Sequence, residues 1–257
     1  MNELQKMTWR EAQDMLGSAR LGVIPTGSCE QHGPHMSLAT DIEIADEFAR
    51  RLTNDLGDLA FLCPRVPYGL SEHHMAFAGT LTLRPNTFIA VLSDLLESLN
   101  HWNIRRVLFV NGHGGNIDAL KIVARKARRD TGMVVGSVMW SQLAADAIAQ
   151  RTSSPRYGHA CEIETSVALV LARNCVFEDR IEEPQPVGPD DPLTDPPRAR
   201  ADLPIWFTEW THNGSLGDPR LSNEELGRAV VDVAYRRALT FARQLASKEV
   251  DAPEGDR

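Results

Sequence analysis

"RRVLFVNGHGGNIDALKIVARKARRDTG", Arg105 to Gly132, is the stretch that decides the fold. Its opening is a continuous apolar run of the kind buried in a parallel sheet. It breaks at glycines into a segment with helical apolar spacing. The same alternation extends both ways along the chain. Upstream, "RLGVIPTGS" (Arg20–Ser28) reads as a buried strand. "ATDIEIADEFARRL" follows as a helix with Thr40 at its N-cap and Glu43 completing a capping box. "LAFLCPRVPYG" is a second strand interrupted by prolines, and "RPNTFIAVLSDLLESLNHW" a helix capped near Asn86. Downstream, "MVVGSVMW" gives another strand and "HACEIETSVALVLARN" another helix. Cys175 to Pro204 is rich in Pro and Asp and reads as an irregular excursion, with 184–204 close to low complexity. A last helix starts at a capping box formed by Ser222 and Glu225 and runs to about Ala246. This pattern predicts an α/β fold, a mainly parallel sheet with helices on both faces. Ligands in such sheets bind beyond the carboxyl ends of the strands.

The chain has 257 residues and is 42% hydrophobic, enough for one large α/β domain over residues 1–257. Its formal charge of −8 comes from scattered acidic residues, without the basic stripe that attracts phosphate backbones, so nucleic acid is not an expected partner. Cys29, Cys63, Cys161 and Cys175 form no CxxC pair, and the polar opening "MNELQKMTWREAQDML" does not read as a signal peptide. The expectation is a reduced, cytoplasmic protein. No apolar run approaches the roughly 18 residues needed to span a bilayer, so membrane insertion is not expected.

Both turns that follow the predicted strands carry metal-capable side chains. In "GSCEQHGPHMSLATD" (Gly27–Asp41), Glu30 and His32 are two apart and project to one face if the chain is extended. Asp41, at a helix mouth, returns to the same place through the turn at Gly33 and Pro34. Helix-dipole stabilisation alone would explain Asp41, but not its neighbours. His113 stands in "NGHGGN", where the dinucleotide spacing G-x-G-x-x-G is not met, which leaves phosphate cradling as a minor reading. "HACEIETS" puts His159, Glu162 and Glu164 near a helix start, and Glu164 runs into apolar residues where an uncompensated carboxylate is expensive. Three carboxylates and two histidines are what a pair of divalent ions needs if one carboxylate bridges them, and oxygen and imidazole donors suit Zn, Mn or Fe(II). Trp140 and Tyr157 are candidates for the aromatic wall of a small-molecule pocket, and Glu162 reads as an exposed first-turn carboxylate.

Five segments in order, "PTGSCEQHGPHMSLATD", "YGLSEHHMAFAGTLTL", "VNGHGGN", "HACEIETS" and "GSLGDPRLSNEELG", resemble the creatininase (creatinine amidohydrolase) family. The resemblance implies a three-layer α/β/α fold, a homohexamer, and a dinuclear metal centre hydrolysing non-peptide C–N amide bonds, cyclic amides or formamides, in small molecules. Carried over by position, it makes Glu30, His32, Asp41, His113 and Glu164 the metal ligands, with Asp41 bridging, and His159 the acid/base that protonates the departing nitrogen. His74, three residues before Phe77, matches a position near the substrate pocket. Creatininase proper resembles "NGHxEN" at the glycine turn, whereas Gly115 stands here in place of that glutamate. The sequence therefore sits closer to the wider family, which includes formamide deformylases of cofactor biosynthesis and a peptide-processing enzyme of mycofactocin maturation. Rival readings are a two-metal phosphoesterase, for which the two turns carry no cationic residue, and a non-catalytic metal- or metabolite-binding member.

Overall fold

Four strands, β1 (Leu21–Thr26), β2 (Ala60–Leu62), β3 (Arg106–Asn111) and β4 (Val134–Met139), pair in the order β2-β1-β3-β4, every neighbour parallel. They come from a computed structural model that describes residues 2–188 and 204–250. The helices are α1 (Trp9–Ser18), α2 (Thr40–Leu56), α3 (Pro85–His101), α4 (Ile117–Thr131), the short α5 (Trp140–Leu143) and α6 (Ala145–Ala149), α7 (Glu162–Leu171) and α8 (Glu224–Ser247). Parallel pairing demands helical crossovers, and α2, α3 and α4 supply them.

Alternation along β3 shows why helices cover both faces. Leu108 and Val110 enter one core with Ile44 and Phe48 of α2, Val167 of α7 and Val230 of α8. Val107 and Phe109 enter the other with Phe88 and Leu92 of α3 and Leu120 of α4. Successive side chains of a strand point to opposite faces, so an apolar strand requires two cores, and the result is the three-layer sandwich. Each fully buried Phe or Leu of this set contributes about 1.5–3 kcal/mol over an exposed one.

Thr26 of β1 lies opposite Asn111 of β3, and Asn111 opposite Met139 of β4. The three strands thus end level, and the chain leaving them delivers Glu30, His113 and Trp140 to one edge.

Three expected caps differ. The Thr40 hydroxyl donates to the Ser37 carbonyl at 2.7 Å and Glu43 turns to Arg65, so α2 starts without a capping box. At α3 Pro85 occupies the first helical position and no side chain caps the helix, Asn86 included. At α8 the cap is Asn223, whose side chain accepts the Leu226 N–H at 2.9 Å, one residue beyond the expected Ser222. Of the Pro-rich segment, 189–203 lies outside the described residues. Among the described residues no helix is long and apolar enough to cross a membrane. All four cysteines are free.

Candidate metal centre

The turn after β1 carries Glu30 and His32, the mouth of α2 carries Asp41, the turn after β3 carries His113, and the first turn of α7 carries Glu164. All five are buried together. Their donor atoms form two groups, Glu30–Asp41–His113 and His32–Asp41–Glu164, each with all atoms within 4.8 Å of one another. Asp41 is common to both: Oδ1 lies 3.1 Å from His32 Nε2, and Oδ2 lies 3.1 Å from His113 Nδ1. Glu30 Oε1 is 3.2 Å from the same His113 nitrogen, and Glu164 Oε1 is 3.9 Å from His32 Nε2.

The far side of each imidazole fixes which nitrogen faces inward. His32 Nδ1 lies 3.1 Å from the Glu30 carbonyl and His113 Nε2 lies 2.9 Å from the Leu70 carbonyl. A carbonyl only accepts, so those nitrogens carry the hydrogens and the inner ones are left to the carboxylates. Histidines that hold metals are oriented this way. The carboxylates are steadied as well: Ser28 Oγ donates to Asp41 Oδ2 at 2.8 Å, and the Ala160 N–H to Glu164 Oε2 at 2.6 Å. Glu30 Oε2, in contrast, is buried without any hydrogen-bond partner. An orphaned carboxylate oxygen is costly unless a cation or another donor meets it. The donor set of three carboxylates and two imidazoles, with that oxygen open, fits a pair of hard-to-borderline divalent ions.

Electrostatics carry the same message. Burial works against charge at every one of these groups, yet with protons as the only cations the ion pairs prevail. The Asp41, Glu164 and Glu30 carboxylates lift His32 to about 10 against burial, and Glu30 and Asp41 hold His113 well above the usual imidazole range. Against the same penalty, His113 and the other imidazoles hold Glu30 well below the usual carboxylate range, and His32 and His113 do so for Asp41. Glu164 is pushed up to about 7, by burial first and then by Asp41 and Glu30 against the opposing pull of His32. The cluster demands more positive charge than two imidazoles supply comfortably.

His159 borders both groups. Its Nε2 donates to the Gln31 carbonyl at 2.6 Å, leaving the Nδ1 lone pair 3.8 Å from Glu30 Oε1 and 3.8 Å from Glu164 Oε2. Burial and the neighbouring His32 charge push it down to about 3. With protons as the only cations present it is therefore a neutral imidazole with an inward lone pair.

Other nominated residues divide. Trp140 and Tyr157 line one cavity of about 220 Å³ together with Cys161 and Glu164. His74 is buried on the Glu30 side of the centre and does not line that cavity; its ring stacks on Phe207 at 4.1 Å. Glu162 is buried, not an exposed helix carboxylate: Oε1 accepts the backbone N–H groups of Ser153 and Ser154 at 2.9 and 2.6 Å, which secures the loop before His159.

Sequence reasoning passed over Gln31, His73 and Phe207. His73 lies within ligand reach of Glu30 and stacks on His113 at 5.8 Å, while Phe207 packs over His74 and His159. The paired histidines of "SEHH" were a visible signal for His73; Phe207 had none, since its segment is joined to the site only by tertiary packing.

Gly115 has a structural reason. A Cβ there would fall 2.3 Å from the Leu70 carbonyl oxygen and 2.5 Å from His113 Nε2. The Leu70 loop, which orients His113, occupies the space that a side chain at 115 would need.

The family model for creatininase (creatinine amidohydrolase) matches residues 5–242. The mycofactocin precursor peptide peptidase of Mycobacterium tuberculosis is 33% identical over 247 residues, 86% of this chain and 86% of that protein. Its counterpart in Mycobacterium ulcerans is 36% identical over 169 residues, 62% of this chain and 61% of that protein, so this match spans less than two thirds of the relative's length. A manganese creatininase structure superposes with a TM-score of 0.78 at 22% identity, covering 96% of this chain and 99% of that one, which is a likeness of fold. A family match over nearly all of the sequence, on the fold and residue constellation described above, makes this chain a member of the creatininase family of hydrolases.

Proposed function

We propose that this chain is a two-cation amide hydrolase, with Glu30, Asp41 and His113 holding one ion, His32, Asp41 and Glu164 the other, and Asp41 shared. The single observation that carries the reading is the pair of donor groups meeting at Asp41 beside an unpartnered Glu30 oxygen. When bound, such ions supply Lewis acidity: they acidify a water and polarise an amide oxygen. Zn, Mn and Fe(II) all suit these donors, and the manganese form of a structural neighbour supports manganese among them. The chain's own contribution is to exclude bulk water by burying the centre and to move a proton at His159 Nδ1. That nitrogen takes a proton as the nucleophile forms and returns it to the departing amine, a general acid–base role. The open lone pair of His159 favours a catalyst over a non-catalytic binding protein.

The relatives' names favour a peptide amide as the scissile bond, in line with a peptide-processing role rather than creatinine hydrolysis. A lactam or formamide is the second reading, supported by the modest cavity of about 220 Å³ walled by Trp140 and Tyr157. A cytoplasmic homohexamer completes the proposal. Support for assembly comes from an apolar groove of about 950 Å³ between α1 and α3, where Trp9 and Trp102 are exposed.

Elemental analysis of the purified protein, followed by hydrolysis assays on short peptides, lactams, formamides and p-nitrophenyl phosphate, tests the two-cation amide-hydrolase reading. Two ions per chain and release of an amine from an amide are expected. A protein that binds no divalent ion, or one that cleaves only the phosphate ester, would overturn it.

A further inference from the structure

Gln31 sits between two proposed ligands, yet its side chain turns away from both. Its Oε1 accepts the Gly33 N–H at 2.8 Å and its Nε2 donates to the Gly214 carbonyl at 3.3 Å. Exchanging the amide's O and N would set donor against donor and acceptor against acceptor, so the network fixes the orientation. The approach of Gly214 is close enough that a Cβ there would fall 1.9 Å from Gln31 Oε1. Gln31 Nε2 also lies 2.9 Å from His74 Nδ1. A carboxamide nitrogen donates and does not accept, so His74 Nδ1 must be the acceptor. In the neutral ring the hydrogen then sits on Nε2, which lies 3.5 Å from Glu30 Oε1. Phe207 and His159 pack against the His74 ring, with centroids at 4.1 and 4.6 Å, and resist its rotation.

We infer that Gln31 locks His74 in the tautomer whose Nε2–H faces Glu30, making His74 a positioning residue for the cation centre through its electrostatic pull on that carboxylate and not a ligand in it. The inference rests on the two-cation reading above. It bears on a third grouping of donors, Glu30–His73–His74, which also lies within 4.8 Å. A histidine with its hydrogen on Nε2 presents no lone pair to Glu30, so this grouping does not bind a third ion through His74. The N–H faces Glu30 Oε1 at 3.5 Å and, with His113 Nδ1 at 3.2 Å from the same oxygen, favours one orientation of the carboxylate, which leaves Oε2 unpartnered. Partners that orient a metal's ligands from outside are typically worth ten- to hundredfold in metal affinity.

The test uses the full chain and zinc alone. Long-range proton–nitrogen correlation spectra of zinc-loaded wild type are expected to show His74 protonated at Nε2 and bare at Nδ1; the opposite tautomer would overturn the inference. His74→Phe keeps the aromatic stack and removes the donor. Zinc affinity, measured by chelator competition, should fall roughly 10- to 100-fold with stoichiometry unchanged. His74→Gln, whose amide N–H can occupy the position of Nε2, should recover most of the loss. Loss of one zinc in His74→Phe would make His74 a ligand, and unchanged affinity would remove its role; either result defeats the inference. Should His74→Phe not fold, Gln31→Met gives the same decision: mixed tautomers and weakened zinc are expected, and an unchanged tautomer refutes the lock. Wild type that binds no zinc at all would instead defeat the two-cation reading itself.

Discussion

Loading the centre with divalent ions should release protons, and the number is set by the site. His32 is lifted to about 10 and His113 is held well above the usual imidazole range, so at pH 7 both rings are charged while protons are the only cations present. Each must surrender its inner proton before it can donate a lone pair. Glu164, pushed up to about 7, carries about half a proton at that pH and must also give it up. The expected release is therefore about two protons or slightly more per filled centre. Because the ion-free state binds more protons, affinity rises with pH. Two protons correspond to about 2.7 kcal/mol, or roughly a hundredfold in the overall binding constant, per pH unit below the raised values. Isothermal titration calorimetry of zinc at pH 7, in buffers of different ionisation enthalpy, reads the proton count directly. Ordinary histidines would already be mostly neutral at pH 7 and would release about half a proton in total. A measured value below one would refute the claim that the three carboxylates hold both imidazoles charged.

Four further substitutions carry predictions. Glu30→Gln removes the open carboxylate oxygen and should lose bound metal and activity together, so undiminished metal by elemental analysis would contradict the ligand assignment. His159→Ala should keep both ions and lose about 10²–10⁴-fold in kcat, the usual range for a positioned acid–base group; unchanged turnover would remove His159 from the chemistry. Gly115→Ala drives a methyl into the Leu70 carbonyl and should destabilise the protein by about 1–3 kcal/mol, whereas Gly114→Ala, with open space around it, should leave the urea midpoint nearly unchanged.

The strands and the meeting of the candidate donors at one sheet edge were legible because each is written in short-range pattern. Apolar runs ending in glycine or proline marked where β1 and β3 stop, and parallel topology then forces their following turns to one edge, so Glu30 and His113 could be brought together although they lie 83 residues apart. Helix caps were less legible. Thr40 and Glu43 have capping-box spacing, but Arg65, from a different part of the chain, captures the Glu43 carboxylate and the local motif loses to a tertiary ion pair. Glu162 shows the same competition in reverse: its position on the first turn of α7 predicts exposure, while the unsatisfied N–H groups of residues 153 and 154 draw it inside.

Gln31 and Glu30 mark the deeper boundary of what sequence can say. Spacing places a carboxamide beside a carboxylate, but which of the two meets a cation depends on where hydrogen-bond demand is already met. Around Gln31 it is met three times over, by Gly33, Gly214 and His74. Around Glu30 it is left open at one buried oxygen. That open oxygen is costly unless a cation or another donor meets it, and His113 balances the charge at the other oxygen without bonding to this one. Function here is therefore read from an imbalance within the site: the hydrogen-bonding groups of Ser28, Ala160, Leu70 and Gln31 are satisfied, while Glu30, beside the donors of the proposed ions, keeps an unmet demand.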